Sequence, residues 1–229
     1  VKGSVLSLFD FTGTAVEPWR KAGYDCWIVD FRHRYGTRKH VKKEGVVEVG
    51  VDLRHGWFPP PELKNVVFMS AFPPCTHVSV SGAKHFLKKG PRALSSALDM
   101  FATAKELGEW LGVPYFIENP ISTFSTYCGK PDYSFHPCDF GGYLPEDDKH
   151  PRYSKYFPPR DAYFKKTCLW TGGGFIMPKE KRVEPGTKDA LTFSQLGGNN
   201  SRETEFVRDI TPRGFSQAVF ESNCRKKNL

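Results

Sequence analysis

The sequence predicts an α/β fold, a largely parallel sheet flanked by helices, and three observations carry that expectation. Strand-like and helix-like segments alternate from the start, two of the early strands end in an aspartate, and one long amphipathic helix separates two short apolar runs. Val5 to Phe9 reads as a first buried strand. A glycine-bearing turn, Asp10 to Thr14, follows it, and then a short helix from about Ala15 to Ala22 that Gly23 closes. A second strand, Cys26 to Val29, ends in Asp30, and a third, Val46 to Val51, ends in Asp52. In open α/β sheets ligands gather beyond the carboxyl ends of the strands, and an acidic residue after the second strand can hold ribose hydroxyls. The first turn lacks the GxGxxG spacing, which argues for a nucleoside cofactor without a pyrophosphate.

A fourth apolar run, Val66 to Met69, is stopped by Pro73 and Pro74, so Cys75 is expected at the mouth of the sheet. The basic stretch Ser81 to Pro91 reads as a loop that lies over that mouth. Leu94, Ala97, Leu98, Phe101, Ala104, Leu107 and Leu111 recur at helical spacing, giving a helix from Arg92 to Leu111 with one face on the sheet, ended by Gly112. Pro114 to Ile117 is a fifth strand, which ends in Glu118, Asn119 and Pro120. Tyr127 to Pro159 has little periodicity and reads as a long loop or irregular subdomain. His136 and Cys138 within it lack two further ligands at matching spacing, so no metal site is expected. Thr167 to Thr171 is a further strand, and Thr211 with Pro212 is a helix start, N-cap then N1, for a helix running to about Asn223.

At 229 residues the chain is long enough for one substantial core. No segment approaches the ~18 apolar residues of a membrane span, and the first strand is expected near Val1 with no signal-type run before it. Six dispersed cysteines without a CxxC pair indicate neither a zinc ribbon nor a disulfide framework, which fits a reducing, cytoplasmic setting. A monomer is expected. The net charge of +8 is concentrated, with six Lys or Arg between Arg32 and Lys43 and four between Lys84 and Arg92. Such clusters are electrostatic footprints for a polyanion, here nucleic acid.

Taken in order, these motifs resemble the DNA cytosine-5 methyltransferases, in particular the small phage-type members. The resemblance rests on Phe11-Thr12-Gly13, the acidic strand ends Asp30 and Asp52, Pro73-Pro74-Cys75 with its tail Ser79-Val80-Ser81-Gly82, Glu118-Asn119-Pro120, and Arg208-Asp209-Ile210-Thr211-Pro212. It implies a Rossmann-like sheet that binds S-adenosylmethionine. Phe11, Thr12, Gly13, Phe31 and Pro74 would line the cofactor, Asp30 would take its ribose hydroxyls, Asp52 its adenine amine, and Leu53 would pack on the adenine. Cys75 would be the nucleophile and Glu118 would hold the target cytosine, with Asn119 beside it holding the turn. Lys165 stands on the first arginine position of the family's QxRxR motif and Thr167 on the second. Ser79, Ser81, Lys84, Lys88, Arg160 and Arg208 would contact cytosine-containing DNA. Departures are Thr76 for the usual glutamine after the cysteine and Pro120 for the usual valine. The interval from Gly172 to Val207 is also short, which implies a reduced target-recognition segment at 172–207 between a catalytic part, 1–171, and a returning helix, 208–229. The loops Gly172–Pro178 and Gly197–Arg202 are its expected contact points.

The residue types fit that chemistry. Carbon 5 of cytosine is a weak nucleophile until a thiolate adds at carbon 6, so the step calls for a cysteine with a cation near it, for which Lys84, His85 and the Lys165 region are candidates. It also calls for a carboxyl group at the ring's polar edge. A base within a duplex must be flipped out to reach the thiol. The sequence leaves open a modified, for example carboxylated, sulfonium donor, a free-nucleotide or RNA acceptor, and a non-catalytic DNA-binding module.

Overall fold

The computed structural model describes residues 2–39, 44–54, 56–186 and 206–224. The chain divides into two compact units, Val1–Ser134 with Thr167–Ile176, and Phe135–Lys166 with Met177–Leu229. These units are defined by packing, whereas the segments 1–171, 172–207 and 208–229 follow motif order.

A mixed eight-stranded sheet flanked by helices carries the first unit. The sheet's strands are β1 (Ser4–Leu8), β2 (Asp25–Val29), β3 (Gly36–Lys39), β4 (Val46–Gly50), β5 (Val66–Ala71), β6 (Tyr115–Pro120), β7 (Tyr133–Phe135) and β8 (Thr167–Gly172), in the spatial order β3-β4-β2-β1-β5-β6-β8-β7. Phe135, the last residue of β7, belongs to the second unit. Neighbours among β4, β2, β1, β5 and β6 run parallel, while β3 is antiparallel to β4 and β8 to β6. Every residue of β1 is buried, as a central parallel strand covered on both faces requires. Its two serines are both hydrogen-bonded: Ser4 Oγ donates to the Lys64 carbonyl at 2.8 Å, and Ser7 Oγ donates to Asp10 at 2.8 Å and accepts from Ser70 Oγ at 2.9 Å.

The helices are α1 (Glu17–Lys21), α2 (Phe86–Lys89), α3 (Pro91–Leu111), α4 (Phe124–Tyr127) and, in the second unit, α5 (Arg213–Asn223). The expected α3 stripe is buried: Ala97, Phe101, Ala104 and Leu107 join Leu6, Leu8, Met69 and Ile117 in one core cluster. Burying a Leu or Phe side chain contributes about 1.5–3 kcal/mol, so this stripe fixes α3 on the sheet. Gly108 permits the contact, because a Cβ there would lie 2.7 Å from the Tyr115 ring. Gly112 ends the helix in the left-handed region, at φ 62°. The opposite face of the sheet is aromatic, with Trp19 of α1 stacked on Phe68 of β5 at 4.9 Å.

Four expectations are corrected. β3 was not expected; its four residues carry no apolar period and are ordered by antiparallel pairing with β4. Residues 81–91 are not a loop: a 3-10 turn, Val80–His85, runs into α2 and then α3. Within 127–159 a 3-10 turn, Pro137–Tyr143, is ordered by Asp139, whose carboxylate accepts from the backbone of His136 at 2.7 Å. Finally, α5 begins at Arg213 with Pro212 at its N-cap, so Thr211 lies one position before the cap.

In the second unit Phe135 stacks on Phe215 at 4.2 Å, and Phe157, Tyr163, Val207 and Ile210 form a further apolar cluster. The first turn of α5 lies directly on the Pro137–Tyr143 turn, since a Cβ on Gly214 would be 2.5 Å from the Phe140 carbonyl. The loop Gly197–Arg202, part of the 172–207 segment, and residues 40–43 of the first basic cluster fall outside the described residues.

Candidate functional site

Five parallel strands send their carboxyl ends to one edge of the sheet. From β1 the chain turns to β2 on one side, while β5 lies on the other, so the strand order reverses between β1 and β5. Ligand crevices in open α/β sheets form at such a reversal. On one side stand the turn after β1, Asp30 after β2 and Asp52 after β4; on the other stand Cys75 after β5 and Glu118 near the end of β6.

The turn after β1 is organised by Asp10, which is buried and accepts the backbone N–H groups of Thr12 at 3.0 Å and Gly13 at 2.7 Å. Burial pushes the Asp10 carboxyl above its ordinary range, and the Gly13, Ser7 and Thr12 hydrogen bonds oppose that shift. Because Asp10 uses two amides of this turn, they are satisfied internally and are not presented to a phosphate. Gly13 has φ 67°, a conformation glycine adopts without strain.

Asp30 is 3% exposed, and Arg32 closes on it, the backbone N–H at 2.8 Å, Nε at 2.9 Å and Nη2 at 2.9 Å. The same guanidinium lies 5.0 Å from the centre of the Phe11 ring. Asp52 repeats the pattern on the exposed side: Arg54 donates its backbone N–H at 3.0 Å and its guanidinium to the same carboxylate. Phe31, 67% exposed, presents a free aromatic face next to Asp30. Leu53, in contrast, is in the core, and its carbonyl accepts from Thr103 Oγ1 at 3.3 Å.

Cys75 is half-buried four residues beyond the end of β5. Its carbonyl accepts from the N–H of Val78 at 3.0 Å and of Ser79 at 2.9 Å, folding residues 75–79 into a tight turn. That turn is tied to the end of β6 at several points. Asn119 Nδ2 donates to the Pro73 carbonyl at 2.7 Å, Val80 N–H to Ile121 at 3.1 Å, and Thr123 N–H to Val78 at 2.9 Å. Asn119 therefore holds the turn, and Glu118, its half-buried neighbour, stands on the strand next to the one that carries Cys75. Pro74, immediately before Cys75, is half-buried. Ser79 and Ser81 share a hydrogen bond at 2.8 Å.

A cation joins this network through Lys89, whose Nζ donates to the Thr76 carbonyl. Burial, and after it the Lys89 ammonium, lower the His77 imidazole below its ordinary value. Lys84, His85 and Lys88 project into solvent from the Val80–Lys89 segment, together with Val80 at 53% and Leu87 at 96% exposure. Two other thiols are held protonated by burial, Cys26 pushed up to about 12 and Cys138 to about 11. Among the described residues no group of three or more His, Cys, Asp or Glu is arranged to hold a metal ion, and no helix is long and apolar enough to cross a membrane.

Lys165, Arg160 and Arg208 belong to the second unit. Lys165 Nζ donates to the Arg208 carbonyl at 3.0 Å, and Arg160 Nε to the Gly141 carbonyl at 3.4 Å. Sequence reasoning missed Asp10, Arg32, Arg54 and Lys89. The first three had a legible signal, an aspartate two residues before its partner, the spacing of an Asx turn. Lys89 had none, because its contact depends on the helical course of residues 80–89. Compared with models of known protein families and with curated proteins, the chain matches none.

Proposed function

We propose that this chain is a transferase that methylates carbon 5 of cytosine in DNA, with S-adenosylmethionine as donor and Cys75 as nucleophile. The observation that carries the reading is the pairing of Cys75 and Glu118 at the ends of neighbouring parallel strands, tied by Asn119, across the strand-order reversal from Asp30 and Asp52. The residues fit the cofactor. Two carboxylates at adjacent strand ends accept from hydroxyls and an amine, Phe31 offers a ring face, and a turn whose amides Asp10 already holds suits a nucleoside without a pyrophosphate.

The bound sulfonium would supply an electrophilic methyl group and would leave as the neutral thioether, keeping the electron pair of the broken sulfur–methyl bond. Cys75 Sγ forms a bond to carbon 6 of a flipped cytosine, and the displaced electron pair makes carbon 5 the nucleophile that takes the methyl group. Glu118 holds N3 and the exocyclic amine, offsetting charge that develops on the ring. Carbon 5 then gives its proton to solvent, the Cys75–carbon 6 bond breaks, and the thiolate returns. The exposed lysines of the Val80–Lys89 segment meet phosphates beside the extruded base, and Leu87 between them is available to the gap it leaves.

The test is incubation of the protein with cytosine-containing duplex DNA and S-adenosylmethionine, then digestion to nucleosides and mass spectrometry. One added methyl on deoxycytidine, abolished by Cys75→Ala, is the expected result. A larger increment would indicate a different donor, and no modification of any base would overturn the reading.

A further inference from the structure

The Val80–Lys89 segment accounts for the second basic cluster, whereas the first, which begins at Arg32, has no part in the proposed reaction beyond the Arg32–Asp30 pair. Its described portion is not a slack loop. His33 is buried, with Nε2 3.2 Å from the Asp10 carbonyl and its ring 5.1 Å from that of Phe11. The backbone then crosses β4 so closely that a Cβ on Gly50 would lie 2.3 Å from the Arg34 carbonyl and 2.6 Å from that of His33. Immediately afterwards β3 pairs with β4, Gly36 opposite Gly50 and Arg38 opposite Glu48. Residues 34 and 35 are thus fixed on both sides by packed backbone.

On this rigid support Tyr35 is 87% exposed and Arg34 is exposed, while Arg38 Nη2 donates to the Tyr35 carbonyl at 3.3 Å, which keeps its guanidinium beside the tyrosine. Cations on an edge strand are a common defence against edge-to-edge pairing. That defence explains Arg38 but not an exposed aromatic ring on a fixed backbone, which promotes association rather than preventing it. An exposed aromatic ring with arginines beside it in the chain suits unpaired bases that stack and phosphates that pair. Duplex bases already stack on each other and leave no face for Tyr35.

We propose that Arg34, Tyr35 and Arg38 form a contact surface for single-stranded nucleic acid at the β3 edge of the sheet. Four strand spacings separate β3 from the strand that carries Cys75, roughly 19 Å at ~4.8 Å each. That exceeds the Debye length of about 8–10 Å, so the surface binds independently of the Cys75 crevice and does not depend on the reaction proposed above.

The experiment is fluorescence anisotropy of the full chain with a labelled single-stranded oligothymidylate and with a duplex of equal length, across a salt series. Tyr35→Ala is expected to weaken single-strand binding about 10-fold and duplex binding less than about 2-fold, with Tyr35→Trp restoring it. Arg34→Gln and Arg38→Gln are each expected to lower the single-strand salt slope by about 0.7. Equal losses on both nucleic acids, or none, would overturn the proposal. So would self-association of Tyr35→Ala with nucleic-acid affinity unchanged, which would make this edge a barrier to pairing.

Discussion

At the scale of single residues, the carboxylates at the candidate cofactor site are each held by an arginine two positions on. For Asp30 the arrangement has a measurable consequence, because its side chain is 3% exposed and Arg32 is its charged partner. Arg32→Gln leaves a buried carboxylate short of charge-assisted hydrogen bonds, at a cost of about 1–3 kcal/mol. A ribose whose hydroxyls donate to Asp30 would then recover part of that loss. We expect Arg32→Gln to melt at a lower temperature than the parent without ligand and to gain a larger melting shift from S-adenosylhomocysteine. A smaller shift than the parent's would mean that Arg32 contacts the ligand directly.

At the scale of elements, the helix that supports the crevice is positioned by a missing side chain. Gly108 brings α3 against β5 and β6, with a Cβ there meeting the Tyr115 ring at 2.7 Å and Met69 Cε at 2.9 Å. Gly108→Ala would raise helix propensity by ~1 kcal/mol yet force the aromatic ring or the helix to move, a strain of about 1–3 kcal/mol. We expect net destabilisation by about 1 kcal/mol in urea denaturation. Stabilisation would show that α3 moves outward without loss. The elements themselves were largely legible. β1, β2, β4, β5, α3 and β8 stand within a residue or two of their expected places, and β6 runs three residues beyond its expected end, because apolar runs and a 3.6-residue stripe survive in the sequence. β3 and the helical course of 80–89 were not, since neither has an apolar period and both are fixed by their neighbours.

At the scale of the whole molecule, stability should respond to acid through buried groups of opposite sign. In the second unit burial pushes Asp161 from the ordinary carboxylate value of 3.8 up to about 6, against hydrogen bonding by Gly214. Burial also lowers His150 from 6.5 to about 4. The folded state binds the Asp161 proton more tightly than the unfolded state, so that contribution is full below pH 3.8 and is lost as pH rises through about 6. The His150 contribution runs the other way, full above pH 6.5 and lost as pH falls through about 4. Asp161→Asn keeps an acceptor for Gly214 and removes only the first term. Relative to the parent, the variant is expected to gain about 2 kcal/mol between pH 4 and pH 7 in urea denaturation, and a pH-independent difference would refute this. The sequence by itself determined the alternation of strands and helices, the acidic strand ends and the proline-stopped Cys75 strand, because periodicity, prolines and charge are local properties of the chain. Only the tertiary structure decided that Cys75 and Glu118 end neighbouring strands and that Tyr35 is held out on a rigid edge. Strand order and exposure arise from contacts between segments distant in sequence, and no local pattern encodes them.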